Sequence, residues 1–172
     1  MTEEELQNIA KQLSCPQGEE GIQVGVQMND SNFEMTLQTL NRTQFESGDK
    51  VLELGHGNGG HLPTLLSRAD NLTYDGLEIS TVMQAQAQLL NANLVHDEVT
   101  KFHLYDGMFI PFPENTFQKI FTVNTIYFWK KPKVLLVEIF RVLQKEGHFS
   151  LAFATKEFMK DLPFVQYGFR LW

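Results

Sequence analysis

The run Lys50-Val51-Leu52-Glu53-Leu54, followed at once by Gly55-His56-Gly57-Asn58-Gly59-Gly60, constrains this chain more than any other segment. A short apolar strand ending in alternate glycines can turn sharply, because glycine enters the left-handed region without a Cβ clash. Such a loop lets a ligand reach the main chain, and the free N–H groups of a following helix start suit a polar or anionic group. From Lys50 onward, strand and helix patterns alternate. Leu72 to Glu78, Val99 to Leu104, Phe117 to Val123 and His148 to Ala154 read as further strands. Gly60 to Arg68, Thr81 to Asn93 and Pro132 to Leu143 read as helices, with Pro63 and Pro132 tolerated in first turns. This alternation predicts an α/β fold: a doubly wound, mainly parallel sheet of about five strands, covered on both faces.

Ahead of the first strand, Leu6, Ile9, Ala10 and Leu13 share a helical face behind Glu3, Glu4 and Glu5. Cys15-Pro16-Gln17-Gly18 breaks that helix, and Ser31-Asn32-Phe33-Glu34 has capping-box spacing, so a second helix is expected to begin near Ser31. Residues 1–46 are therefore expected to form an N-terminal helical extension, and residues 47–172 the ligand-binding domain.

Composition removes several function classes. The 172 residues carry a formal net charge of -7, which argues against nucleic acid as a partner. The one tight basic cluster, Lys130, Lys131 and Lys133, reads as a solvated helix start. A lone Cys15 excludes an intramolecular disulfide and a Cys-rich zinc cluster, and the scattered histidines lack ligand spacing, so no metal site is expected. The N-terminus lacks the basic start and apolar run of a signal peptide, and no apolar stretch approaches the roughly 20 residues that span a bilayer. No membrane insertion and a cytoplasmic location are the expectation.

In a doubly wound sheet, ligands bind beyond the carboxyl ends of the strands, near the switch in strand order. Gly55, Gly57 and Gly60 also satisfy the dinucleotide pattern G-x-G-x-x-G. Glu78, ending the second strand, can accept both ribose hydroxyls of a nicotinamide cofactor or of another adenosine cofactor. Glu53 separates the two: a carboxylate just ahead of the glycines repels a pyrophosphate but supports a cofactor bearing an α-amino group and a sulfonium. The segment from Leu104 to Trp129 adds an acidic residue after the third strand, a proline-flanked loop, the fourth strand and a polar-aromatic exit.

These features together resemble the class I S-adenosylmethionine-dependent methyltransferases, a Rossmann-like family. VLELGHGNGG resembles their motif I, E-x-G-x-G-x-G; GLEIS resembles the acidic end of their ribose-binding strand; YDG and IPFPENTFQKIF resemble their adenine-side and fourth-strand motifs. The similarity covers roughly residues 20–168 and is nearest to a small bacterial group with a Met-Asn-x-Ser-Asn helix start, here Met28-Asn29-Asp30-Ser31-Asn32. It implies S-adenosylmethionine as cofactor, with Glu53, Gly55, Gly57 and Gly59 along its methionine part. Glu78 would hold the ribose hydroxyls, Ile79 would pack on the adenine, and Asp106 would take the adenine amino group beside Gly107 and Met108. Asn124 and Thr125 would face the methionine end and the substrate.

Methyl transfer from a sulfonium is an in-line displacement that asks mainly for alignment and exclusion of water. A base is needed only for a nucleophile that arrives protonated. Asn124 and Tyr127 are the candidates for positioning substrate; Tyr127 and Trp129 can also present a π face to a cation, or simply cover the core. His56 and His61 flank the glycine loop, either as bases or as solvent-facing loop residues. A small-molecule acceptor is expected, with its reacting atom left open among O, N, C and S.

The family normally has seven strands ending in an antiparallel hairpin, and residues 155–172 are too few for it. The expectation is a sheet lacking that hairpin, with an uncovered fifth-strand edge. Two consequences stay open: a homodimer through that edge, or a non-catalytic, truncated cofactor-binding module.

Overall fold

The computed structural model describes residues 1–95 and 99–172. The N-terminal segment forms α1 (Glu3–Ser14) and α2 (Gly18–Thr43). There follow β1 (Lys50–Leu54), α3 (Leu62–Leu66), β2 (Thr73–Glu78), α4 (Thr81–Leu90), β3 (Thr100–Leu104) and β4 (Phe117–Val123). A 3-10 turn at Ile126–Phe128, α5 (Pro132–Val142), β5 (Leu143–Ala152) and the short α6 (Lys156–Met159) complete the chain.

The five strands make one sheet in the order β3-β2-β1-β4-β5, with every pair parallel. The chain winds outward from β1 to β3, then crosses back to β4 and β5. The switch in direction therefore falls between β1 and β4. Alternation along β1 divides the core: Val51 packs with Leu40 of α2, Leu62 and Leu65 of α3 and Phe121 on one face. Leu52 and Leu54 pack with Leu135, Ile139 and Val142 of α5 on the other. Four of the five β1 residues are buried, as a central parallel strand covered on both faces requires.

The expected strands and helices are present, with four differences. The second helix does not begin at Ser31; α2 runs unbroken through it, and the Ser31 hydroxyl donates to the Met28 carbonyl instead of capping. Packing explains why the glycines upstream do not break it. A Cβ at Gly21 would stand 2.8 Å from the Pro16 backbone, and one at Gly25 would stand 2.6 Å from the Met83 side chain. The helix Gly60 to Arg68 shrinks to α3. The strand expected from His148 starts at Leu143, through an irregular stretch in which Glu146 adopts a left-handed φ of 67°. Finally, β5 pairs with β4 alone, yet its Phe149 and Leu151, with Phe153 just beyond it, pack half-buried on the same core cluster as Leu162, Phe164 and Phe169 of the C-terminal tail. The strand's backbone edge is open; its apolar face is covered. Among the described residues, no helix is long and apolar enough to cross a membrane.

Candidate functional site

A cleft lies at the carboxyl ends of β1 and β4, roofed by α1 and α2. Its lining combines Glu53, Gly55, Gly57 and Glu78 from the first two strand ends with Asn124 from the end of β4. Met28, Asn29 and Asn32 close it from the α2 side.

The glycine loop is built for close approach. Gly55, Gly57 and Gly59 have φ values of 74°, 56° and 66°, a region where any side chain strains the backbone. Their surroundings differ. A Cβ at Gly57 would meet nothing within 4 Å, whereas one at Gly55 would collide with Thr125 Cγ2 at 2.4 Å. One at Gly59 would press on Asn91 and Ala87, so Gly59 serves the packing of the loop on α4 and is not among the lining residues.

Two carboxylates frame the loop. Glu53 is 2% exposed, and its Oε2 accepts hydrogen bonds from the Tyr74 hydroxyl at 2.5 Å and from His61 Nε2 at 2.8 Å. Both fall on one oxygen. Burial disfavours a charge on His61, but the Glu53 carboxylate outweighs it and raises the imidazole pKa above its ordinary value. Tyr74, buried beside the same carboxylate, is pushed well above the usual phenol range. Glu78 accepts at Oε2 from the Gly57 N–H and at Oε1 from the Ile79 and Ser80 N–H groups. Burial nevertheless raises its pKa, against those backbone donors.

The two loop histidines are not solvent-facing: His56 is 3% exposed and His61 6%. His56 Nδ1 bonds the Gly57 carbonyl at 2.7 Å, its Nε2 is buried without a partner, and burial lowers its pKa to about 4. It is a neutral ring packed on Phe102.

The β4 exit also departs from expectation. Tyr127 is buried, with its hydroxyl bonded to Asn124 Oδ1 and to the Ala154 N–H, so it braces the exit rather than facing the cleft. Thr125 is likewise internal: its Oγ1 bonds Thr122 Oγ1 at 2.6 Å and accepts from Trp129 Nε1 at 3.0 Å. Trp129 is buried and covers the core. Asn124 alone of this group lines the cleft, held at a φ of 56°.

On the far side of β2, Ile79 is 40% exposed, and a Cβ at Gly107 would touch it at 3.5 Å. Asp106 is exposed, and its Oδ1 accepts from the Met108 and Phe109 N–H groups, which lowers its pKa. Ile79, Asp106, Gly107 and Met108 thus form a shelf beside the cleft and not its lining. Sequence reasoning missed the α2 residues as site residues, and also the clasp of His61 and Tyr74 on Glu53. The Met28-Asn29-Asp30-Ser31-Asn32 run is a local signal for the first but reads by itself only as a helix start; the clasp leaves none. Among the described residues, no group of three His, Cys, Asp or Glu side chains is placed to hold a metal.

Comparison with known proteins agrees with this geometry. Residues 52–151 match the methyltransferase domain family, which is more than half of the chain. The chain belongs to the class I methyltransferases. A Bacillus subtilis (strain 168) relative named "Putative methyltransferase YrhH" is 28% identical over 128 residues, covering 74% of this chain and 69% of that protein. The fatty-acid O-methyltransferase of Mycolicibacterium smegmatis is 26% identical over 152 residues, covering 84% of this chain and 53% of that one. In fold, the chain matches a solved structure titled "Complex between the Haloferax volcanii Trm112 methyltransferase activator and the putative methyltransferase". The TM-score there is 0.77 at 22% identity, covering 98% of this chain and 70% of the other.

Membership makes this an S-adenosylmethionine-dependent methyltransferase. The residues present fit that cofactor: there is open space over Gly57, and a carboxylate lies on either side of the loop.

Proposed function

We propose that the chain transfers a methyl group to a small-molecule acceptor bound between the glycine loop and α2. The observation that carries this reading is the roof. The α1–α2 junction and α2 cross the strand ends and are tied down by the Ser80 hydroxyl on the Pro16 carbonyl at 2.6 Å and by the Asn124–Asn32 bond at 2.8 Å. A roofed cleft suits a small molecule better than an extended polymer, and the formal net charge of -7 does not suit nucleic acid. The fatty-acid relative, whose name denotes a small-molecule acceptor, supports the same class.

In this reading, Glu53 faces the cofactor's ammonium with the oxygen its clasp leaves unused, and Gly55 and Gly57 bear its methionine part. Gly59 sets the loop's seat on α4. Glu78 takes the ribose hydroxyls; Ile79, Gly107 and Met108 border the adenine, and Asp106 meets its amino group. When bound, S-adenosylmethionine supplies an already activated methyl group. Asn124 then positions the acceptor, braced from behind by Thr125 and Tyr127, while α2 excludes water. Residues 1–46 in this view are the acceptor-side roof of a single functional unit with residues 47–172. The open backbone edge of β5 offers a place for a second copy, and a single monomeric species in sedimentation would rule that pairing out.

Incubation with a methyl-labelled donor and a cell extract tests the acceptor class. Label is expected in the small-molecule fraction. Label confined to precipitable protein or nucleic acid would overturn the reading.

A further inference from the structure

The amides on the α2 side of the cleft form a one-way hydrogen-bond chain, and its polarity can be read from one donor whose sense is fixed. The Ala154 backbone N–H donates to the Tyr127 hydroxyl at 2.5 Å and to Asn124 Oδ1 at 3.3 Å. The Tyr127 hydroxyl has one proton to give, with that same Oδ1 at 2.9 Å and the Ala154 carbonyl at 3.2 Å. Asn124 must therefore turn its Nδ2 the other way, where it donates to Asn32 Oδ1 at 2.8 Å. With its oxygen taken, Asn32 has its own Nδ2 left over, and an amide nitrogen carries two protons, so Asn124 keeps one as well. Both residues line the cleft. Beside Met28, Val123 and Phe128, this wall offers N–H donors from the paired amides and no charge.

The wall also stands away from the ribose side. Glu78 ends β2 and Asn124 directly follows β4, on opposite sides of β1. The titratable side chains that line the cleft are engaged elsewhere. Both Glu78 oxygens accept backbone N–H groups, Glu53 Oε2 accepts from Tyr74 and His61, and His56 bonds Gly57. The oxygen that Glu53 leaves unpaired belongs to the loop wall, where the cofactor's ammonium would lie, and His56 Nε2 is buried. An acceptor that arrives already ionised, with oxygens to receive donors, suits this uncharged, donor-bearing wall.

Resting on the small-molecule reading above, we propose that the Asn32–Asn124 pair is the acceptor-recognition site and that it selects carboxylates. A carboxylic acid is ionised at neutral pH without help from the protein. One carboxylate oxygen takes the amide N–H groups while the other attacks the methyl carbon. The new C–O bond forms as the C–S bond breaks, the bonding pair goes to sulfur, and no proton moves. A methyl ester and a neutral thioether result.

Calorimetry at saturating S-adenosylhomocysteine, with octanoate, benzoate and octylamine as probes, tests the site without turnover. The wild-type chain is expected to bind at least one of the carboxylates and to bind octylamine at least tenfold more weakly. Asn32→Asp keeps an oxygen for Asn124 but replaces the donor with an anion. It should weaken carboxylate binding at least tenfold and leave S-adenosylhomocysteine affinity within about twofold. Asn32→Ala should show the same direction with a smaller loss. The proposal is overturned if neither carboxylate binds, if octylamine binds as well as they do, or if both variants bind carboxylate like wild type. It is equally overturned if S-adenosylhomocysteine affinity falls in step, because the amides would then hold the cofactor's own carboxylate. Labelled methyl groups found only on macromolecules would sink the small-molecule reading instead, a result separable from any of these.

Discussion

The two walls of the cleft are made in different ways. The glycine-loop wall is charged and nearly contiguous in sequence: Glu53, Gly55, Gly57 and His61 lie within a few residues of one another, and Glu78 reaches back to the Gly57 N–H. The α2 wall is uncharged and assembled from far apart, its central bond joining Asn32 to Asn124 across 92 residues. The loop wall is thus a fixed cofactor cradle whose parts depend on one another. The α2 wall is a surface on which the acceptor site can change without disturbing the cradle.

Breaking the loop wall should give the largest effect. Gly57→Val places a branched side chain at a φ of 56° in space that is otherwise open, where the cofactor would lie. S-adenosylhomocysteine affinity is expected to fall roughly a hundredfold or more, about 3 kcal/mol, by calorimetry. Unchanged affinity would contradict the placement of the cofactor over this loop.

The clasp on Glu53 comes next. Glu53→Gln leaves His61 buried without its counter-charge, and losing one partner of such a pair typically costs about 3 kcal/mol. Thermal unfolding at neutral pH should shift down clearly, and a melting temperature equal to wild type would show that the pair is not stabilising.

The same two histidines give opposite pH signatures. His56 has a lowered folded pKa of about 4, so the unfolded chain binds more protons between about pH 6.5 and 4, and stability falls as pH drops through that window. His61 has a raised folded pKa, so its contribution is present below the unfolded value and is lost as pH rises through the folded one. Denaturant unfolding of His56→Phe is expected to flatten the acid limb, and His61→Phe the limb that begins at the ordinary imidazole value and runs upward. A variant that altered the opposite limb would contradict this assignment.

The smallest effect belongs to the far wall. Tyr127→Phe removes a hydroxyl that braces Asn124 and the Ala154 N–H, at a cost of about 1 kcal/mol in stability. Because the loop wall is untouched, S-adenosylhomocysteine affinity should stay unchanged. A large loss there would mean that the walls are not separable.

The same contrast explains what could be read from the sequence. The order of strands and the glycine loop were legible because apolar runs and alternate glycines are local signals, whereas the start of β5 at Leu143 was not. Glu53 and Glu78 were legible because a carboxylate beside such a loop has few uses. The 26-residue α2 was not, since Ser31-Asn32-Phe33-Glu34 has the spacing of a helix start, while the room that Gly21 leaves for Pro16 and Gly25 for Met83 is no local signal. Tyr127 looked available from its position at the strand exit, and only the return of the chain to Ala154 shows its hydroxyl to be occupied. His56 and His61 sit on a loop that reads as exposed, yet α2 and α4 bury it.

The central claim is that the loop from Glu53 to Gly59 is a cradle for S-adenosylmethionine and not for a dinucleotide. Titrating the wild-type chain with S-adenosylhomocysteine and, separately, with NAD tests it most directly. The account predicts saturable binding of S-adenosylhomocysteine at one site per chain and no measurable heat with NAD. Binding of NAD in its place, or no binding of S-adenosylhomocysteine by the folded chain, would contradict it.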